Sequence, residues 1–191
     1  MKIESSKISK VLEQNFSHLI CDFYEMQTEY LASLNIIYDD LDASLVGMFL
    51  TNELYKSAIQ NDISKEKICL KNFYQKNNFK LPVSNFKIKD ISSIINLPRE
   101  TVRRKKEKII KDKLIVLDKK KKNYDFNVDM VDKKIIDAQI DNLSKFLSKF
   151  SIFFSKNKLF VREISKEKIK QDVEKKFFLY LIKFLDFQIA Y

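Results

Sequence analysis

Glycine is nearly absent from this chain of 191 residues, and this absence limits the folds that the chain can adopt. The sequence contains one glycine, Gly47, and two prolines, Pro82 and Pro98. β-Sandwiches, barrels and flexible linkers need turn residues along their whole length, so these classes are excluded. Rossmann and P-loop sites need two or more glycines at fixed spacing, so they are excluded as well. The sequence therefore predicts a mainly helical protein.

Side chains that carry acid–base or metal chemistry are equally sparse. The chain has one histidine and two widely separated cysteines, Cys21 and Cys69. This set predicts neither a structural zinc site nor a disulfide framework. The acidic triplet has no distant partner and is interpreted as a helix N-cap with favourable charges at the helix start: Asp39, Asp40 and Asp42. We expect no enzyme activity, cofactor or metal.

The positive charge is concentrated in the middle of the chain. Residues 61–125 carry 19 basic and 8 acidic side chains, whereas residues 1–60 carry 4 and 9 and residues 126–191 carry 13 and 9. Such a concentration is the electrostatic footprint of a polyanion, either nucleic acid or an anionic membrane. The most apolar stretch, residues 177–191, is shorter than the roughly 20 residues of a bilayer span. No membrane partner is therefore expected, and the polar N-terminus predicts a cytoplasmic protein.

Apolar residues at helical spacing indicate how the outer parts of the chain fold. In the N-terminal part they predict helices over residues 16–35 and 42–60 and a shorter one over residues 64–76. In the C-terminal part they predict two amphipathic helices, over residues 131–154 and 169–185. The density of phenylalanine in these last helices is typical of a core or a subunit interface.

The central segment has the most informative pattern. A short helix with Ile91, Ile94 and Ile95 on one face stops at Asn96-Leu97-Pro98, and a second helix begins at Arg99. A short β-branched run, four lysines and an alternating run then predict a β-hairpin with a basic tip over residues 114–128. Helix, tight turn, helix and hairpin is the order of a winged helix-turn-helix.

The segment ISSIINLPRETVRRKKEKIIKDKLI also resembles the recognition regions of bacterial transcription regulators. The resemblance is to the DNA-binding domains of cyclic-AMP receptor/Fnr-type proteins and of GntR regulators, and it covers roughly a quarter of the chain. The matching residues of the second helix are Arg99, Glu100, Thr101, Val102 and Arg104. No cyclic-nucleotide-binding roll precedes the motif, and the order of segments fits a MarR-like plan better, with helices on both sides forming a dimer.

Two positions depart from the family pattern. Lys106 replaces an apolar residue, so its alkyl stem would have to lie on the core while its ammonium is lifted outward. Lys113 replaces the usual glycine or asparagine before the wing, whereas Leu114 and Ile115 match the start of the wing.

The resemblance implies how the second helix would contact DNA. Three of the four arginines in this lysine-rich chain are Arg99, Arg103 and Arg104, which indicates that a guanidinium fork is needed there. The predicted base contacts are Arg99 and Arg104, which would read guanine, and Glu100, which would accept from a cytosine amino group. The predicted phosphate contacts are Thr101, Arg103, Lys105, Lys108, Lys119, Lys120, Lys121 and Lys122.

The predicted architecture is mainly α, with a winged helix-turn-helix and small β-hairpin wing flanked by N- and C-terminal amphipathic helices. Its regions are an N-terminal helical region (residues 1–80), a DNA-binding domain (81–128) and a C-terminal dimerisation region (129–191). A homodimer is expected, because paired reading heads must meet two half-sites. A small-molecule effector between the outer helices is left open.

The leading functional hypothesis is a transcription regulator that binds double-stranded DNA in a sequence-specific manner. The alternative is a winged-helix module for protein interaction or replication initiation without strong base specificity. Salt-dependent binding with sequence preference would distinguish the first from a complex that forms without nucleic acid.

Overall fold

A computed structural model describes residues 5–60, 69–71, 80–82, 87–118, 120, 123–159 and 162–190. In this part of the chain the protein is mainly helical with one small antiparallel sheet, as the sequence predicts. The predicted short helix over residues 64–76 lies almost wholly outside the described residues. None of the described helices is both long and apolar enough to cross a membrane.

The elements follow one another as α1 (Ser5–Gln14), α2 (Phe16–Tyr38), α3 (Leu41–Gln60), β1 (Lys80–Pro82), α4 (Ile88–Ile95), α5 (Arg99–Lys111), β2 (Ile115–Asp118), β3 (Asn123–Phe126), a 3₁₀ turn (Val128–Met130), α6 (Lys133–Lys156), α7 (Lys166–Lys175) and α8 (Phe177–Ala190). Helix α2 begins where the spacing predicts and continues three residues further. The two helices of the central segment and their connection lie where the sequence places them.

The chain forms two compact units. The first consists of Met1–Ser33 and Lys134–Val173, and the second of Leu34–Lys133 and Glu174–Tyr191. Both N- and C-terminal regions predicted from the sequence contribute to both units. The second unit contains the whole central segment.

Aromatic side chains form a row in the first unit. Phe23 of α2 meets Phe146 of α6 edge to face, with ring centroids 6.2 Å apart. Phe150 and Phe154 continue the row along α6, at centroid distances of 4.9 and 5.0 Å from one ring to the next. These residues are four positions apart, so they share one face of the helix, and Phe146 on that face contacts Phe23 of α2.

Ion pairs also join α2 to α6 within the first unit. Lys145 Nζ lies 2.7 Å from Glu25 Oε1, and Lys149 pairs with Asp22 one turn away. The hydrogen bond and charge of Lys145 hold the pKa of Glu25 below its ordinary value. These two cations of α6 are therefore compensated by carboxylates of α2.

The second predicted C-terminal helix, over residues 169–185, is wrong in one respect. It is two helices, α7 and α8, and the chain departs from helical geometry at Lys176 between them. Val173 and Phe177 are both buried on either side of the break. Because these residues are four positions apart, the apolar spacing continues across the break and does not reveal it.

Helix α3 is the centre of the second unit. Helices α4, α5 and α8 and the sheet all pack against it. Its side chains are buried around most of its circumference: Ala43, Ser44, Val46, Met48, Phe49, Leu50, Thr51, Asn52, Leu54 and Tyr55. Asn52 donates from Nδ2 to Asp186 Oδ1 of α8 at 2.7 Å, which joins α8 to the core of this unit.

Gly47 lies in the middle of α3, where the end of α2 folds back on it. Asp39, with a φ of 61°, and Asp40 make the short connection between the two helices. The ring of Tyr38 then lies so close that a Cβ on Gly47 would be 2.3 Å from Tyr38 Cζ. The single glycine of the chain is thus required by a close helix contact and not by a turn. Burial raises the pKa of Tyr38 to about 12.

The sheet has the strand order β1-β3-β2, and all pairs are antiparallel. Strands β2 and β3 form the predicted hairpin, with Asp118 paired to Asn123 next to the tip. In the sequence, Asn77, Asn78 and Pro82 predict a loop after the helix over residues 64–76. This prediction is wrong at residues 80–82, since these residues form the edge strand β1. An edge position tolerates proline, because its missing N–H is not needed by another strand.

Candidate nucleic-acid interface

The turn between α4 and α5 is fixed by local geometry. Asn96 ends α4 in the left-handed conformation, with a φ of 53°, and Pro98 precedes the first residue of α5. Ser92 Oγ donates to the carbonyl oxygen of Leu97 at 2.6 Å and holds the turn against α4. Asparagine adopts positive φ more readily than most residues, which is why Asn96-Leu97-Pro98 identifies this turn from sequence.

Helix α5 has one buried and one exposed face. Val102 and Ile109 are fully buried against the rest of the second unit, as is Ile91 of α4. The opposite side, which we call the exposed face of α5, consists of Arg99, Glu100, Arg103, Arg104, Glu107 and Lys111. Four cations and two carboxylates leave this face with net positive charge.

The three predicted base contacts lie together on the exposed face of α5. Arg99 and Glu100 are in its first turn, and Arg104 follows one turn later. Within the described part of the chain, neither Arg99 nor Arg104 makes an ion pair. Both residues are exposed.

Arg103 differs from the other two arginines, because it holds two carboxylates of its own helix. Its Nη2 lies 2.6 Å from Glu100 Oε1, and its Nη1 lies 2.8 Å from Glu107 Oε1. The hydrogen bond from Arg103 lowers the pKa of Glu100, and the same contact raises the pKa of Arg103. The sequence predicts a phosphate contact at Arg103, and the two carboxylate partners were not predicted.

Two other predicted phosphate contacts are bound inside the second unit. Lys105 Nζ lies 2.7 Å from Asp40 Oδ2 and is only 17% exposed. Lys108 Nζ donates to the carbonyl oxygen of Tyr38 at 3.2 Å and lies within 4 Å of Asp39 and Asp40. These contacts link α5 to the connection between α2 and α3.

Asp40 is also the N-cap of α3. The backbone N–H of Ala43 donates to Asp40 Oδ1 at 2.7 Å, so the interpretation of the acidic triplet as a cap is confirmed for this residue. Burial raises the pKa of Asp40. Hydrogen bonds from Lys105 and Ala43 and the charges of Lys105 and Lys108 lower it by more than burial raises it, so the pKa lies below its ordinary value of 3.8. Across the described residues, no group of histidine, cysteine or acidic side chains could hold a metal ion.

Both departures from the family pattern have a structural explanation. Lys106 is half-buried and its Nζ lies 4.9 Å above the ring centroid of Tyr124, a buried residue of β3. The lysine therefore replaces an apolar contact by a cation–π contact. Lys113 has a φ of 60°, so the position needs the left-handed conformation that glycine or asparagine usually supplies.

The hairpin tip is described at Lys120 alone among the four predicted lysines, and Lys119, Lys121 and Lys122 lie outside the described residues. Lys120 is exposed, and its backbone N–H donates to Asp118 Oδ1 at 3.0 Å. Thr101, the remaining predicted phosphate contact, is half-buried in the first turn of α5.

Comparison with known proteins adds no identification. The chain matches no protein-family model, no curated protein and no solved structure.

Proposed function

We propose that this protein is a transcription regulator that binds double-stranded DNA in a sequence-specific manner through a winged helix-turn-helix. The observation that carries the proposal is the exposed face of α5, which presents Arg99 and Arg104. This helix is held in place by the turn that precedes it and by its buried apolar face, and it packs against α3. In helix-turn-helix proteins the second helix lies in the major groove and its N-terminal residues contact base edges.

Base reading would come from the first half of α5. Arg99 and Arg104 match the two acceptors of guanine, O6 and N7, with a bidentate fork that lysine lacks. Glu100 accepts from the amino group of cytosine. Each good bidentate pair contributes roughly 1–3 kcal/mol of discrimination, so this cluster is sufficient for a specific site.

Phosphate contacts would come from the hairpin tip and from the first turn of α5. The hairpin tip carries Lys119, Lys120, Lys121 and Lys122, and Thr101 lies in the first turn of α5, where the helix dipole favours a phosphate. Lys105 and Lys108 are assigned instead to fixing α5 on the α2–α3 connection, because Asp39, Asp40 and the Tyr38 carbonyl already bind them.

A homodimer follows from the same proposal. Two reading helices on a two-fold axis would contact half-sites one DNA turn apart. Light scattering should return about twice the chain mass of 22.7 kDa at micromolar concentration. A single chain mass would refute the dimer while leaving single-site DNA binding open to test.

The test of the function is selection of bound duplexes from a random pool at fixed salt, with the full chain. We expect a common motif to be enriched, and we expect the double variant Arg99→Ala/Arg104→Ala to lose the enrichment. Circular dichroism of this variant checks that the fold is kept. Absence of any enriched sequence with the wild-type chain would refute base reading and favour the protein-interaction alternative.

A further inference from the structure

Arg103 uses both sides of its guanidinium group within α5. Nε and Nη2 donate to the two oxygens of Glu100 at 3.1 and 2.6 Å, and Nη1 donates to Glu107 Oε1 at 2.8 Å. The contact with Glu100 is a two-point fork on a carboxylate, which fixes the orientation of both groups. A guanine edge or a phosphate would need the same donors, so an external contact of this kind competes with the fork.

We propose that Arg103 is a positioning residue, which fixes the Glu100 carboxylate so that Glu100 selects a base with an exocyclic amino group in the major groove. The inference rests on the proposed function and deepens it, since it assigns to Arg103 the orientation of Glu100 in place of a phosphate contact. The bases that present such a group are cytosine, through N4, and adenine, through N6.

The carboxylate retains acceptor capacity while it is held. A carboxylate offers about four lone-pair sites, and Arg103 occupies one on each oxygen. The side chain of Glu100 is 74% exposed, so the remaining sites are open to a base edge. An ionised carboxylate only accepts hydrogen bonds, so it rejects guanine O6 and thymine O4, which are acceptors themselves.

The fork also reduces the electrostatic repulsion between the Glu100 carboxylate and the DNA phosphates. An isolated carboxylate that enters the major groove is repelled by the phosphates on either side. Arg103 neutralises Glu100 locally, and the charge of Arg104 adds to this effect. The pKa of Glu100 is lowered by the same contacts, so the group is ionised at neutral pH.

The experiment measures binding of the full chain to the selected duplex and to single-base-pair variants of it, across a series of salt concentrations. Glu100→Ala first identifies the base pair at which selectivity falls. A good contact gives roughly 5- to 150-fold preference there. Arg103→Ala is expected to lose most of that preference at the same base pair, and adding Arg103→Ala to Glu100→Ala should cost little more.

Two variants provide controls. Arg103→Lys keeps the charge without the fork and is expected to recover non-specific affinity but not the base preference. Glu107→Gln removes the negative charge of the other partner of Arg103 and leaves the fork on Glu100, so the preference should be retained. The thermal midpoint of each variant checks that a lost preference is not a lost fold.

Arg103 as a phosphate contact predicts a different result. The salt slope of log affinity would then fall by about 0.9 in Arg103→Ala, with the base preference unchanged. That result would overturn the positioning role and leave the proposed function intact. If the wild-type chain binds all duplexes equally, the proposed function fails and this inference fails with it. If the wild-type chain is selective and the Arg103 variants keep its base preference, the inference fails alone.

Discussion

Basic side chains are used differently by α5 and by α6. In the first unit, Lys145 and Lys149 of α6 pair with Glu25 and Asp22 of α2, so their charges are compensated within that unit. On the exposed face of α5, by contrast, Arg99 makes no ion pair within the described residues, and the same is true of Arg104. The net charge of a region therefore does not show which of its cations lack a carboxylate partner within the described residues.

Helix α5 packs on α3, and the largest expected effect comes from disturbing the contact between α3 and the end of α2. Gly47→Ala would put a Cβ 2.3 Å from the ring of Tyr38, which is buried between helices. Overpacking of this kind costs about 3 kcal/mol, and the better helix propensity of alanine offsets about 1 kcal/mol. We expect the free energy of unfolding in urea to fall by roughly 2 kcal/mol, and an unchanged midpoint would contradict the contact.

The second prediction concerns Arg104 directly. Arg104→Ala should lose roughly 1–3 kcal/mol on the preferred site and relax selectivity at one base pair. Arg104→Lys keeps the charge without the fork, so it should recover non-specific affinity far better than specificity. Competition between specific and scrambled duplexes at fixed salt measures both. Equal behaviour of Arg104→Lys and the wild type on both duplexes would remove Arg104 from the reading set.

The sequence predicted the local parts of the α5 region well, because they depend on neighbouring residues. Asn96 and Pro98 define the turn through their own backbone preferences, and the buried face of α5 follows from the spacing of Val102 and Ile109. The hairpin follows from its alternating pattern. These features require no knowledge of what lies across the fold.

Contacts between distant segments could not be predicted in the same way. Lys105 looked like a phosphate contact, because Asp40, its partner in the structure, is 65 positions away in sequence. Strand β1 forms only by pairing with β3, and its three residues with one proline carry no strand pattern of their own. The fork of Arg103 on Glu100 is local, and its i,i+3 spacing was a signal that could have found it.

A third prediction tests the contacts that hold α5 on the α2–α3 connection. Asp40→Asn keeps an N-cap but removes the charge that binds Lys105, so we expect unfolding in urea to become easier by about 1 kcal/mol at pH 7. The pKa of Asp40 is lowered in the folded protein, so its stabilisation is present above the ordinary value of 3.8 and is lost as pH falls through the folded pKa.

The pH series therefore has a definite sign. The difference between wild type and Asp40→Asn should be constant from pH 7 to 5 and should begin to shrink as pH falls below about 4. Other lowered carboxyl groups, such as Asp141, are present in both chains and cancel. A difference that does not shrink at all as pH falls below 4 would show that the Asp40 charge is not its source.

The smallest expected effect comes from a comparison of the hairpin-tip lysines with the ion-paired lysines of α6. Two double variants each remove two positive charges from a chain of net charge +10: Lys120→Ala/Lys121→Ala and Lys145→Ala/Lys149→Ala. If total charge governed DNA binding, both double variants would weaken it alike. Under our proposal the lysines of the hairpin tip contact phosphates and those of α6 do not, so the first variant should flatten the slope of log affinity against log salt by up to about 1.8, at 0.9 per phosphate. The second should leave the slope unchanged and reduce stability by no more than about 1 kcal/mol for each exposed pair. A slope left unchanged by Lys120→Ala/Lys121→Ala would show that the hairpin tip does not touch DNA, and the distinction between compensated and uncompensated cations would then rest on the exposed face of α5 alone.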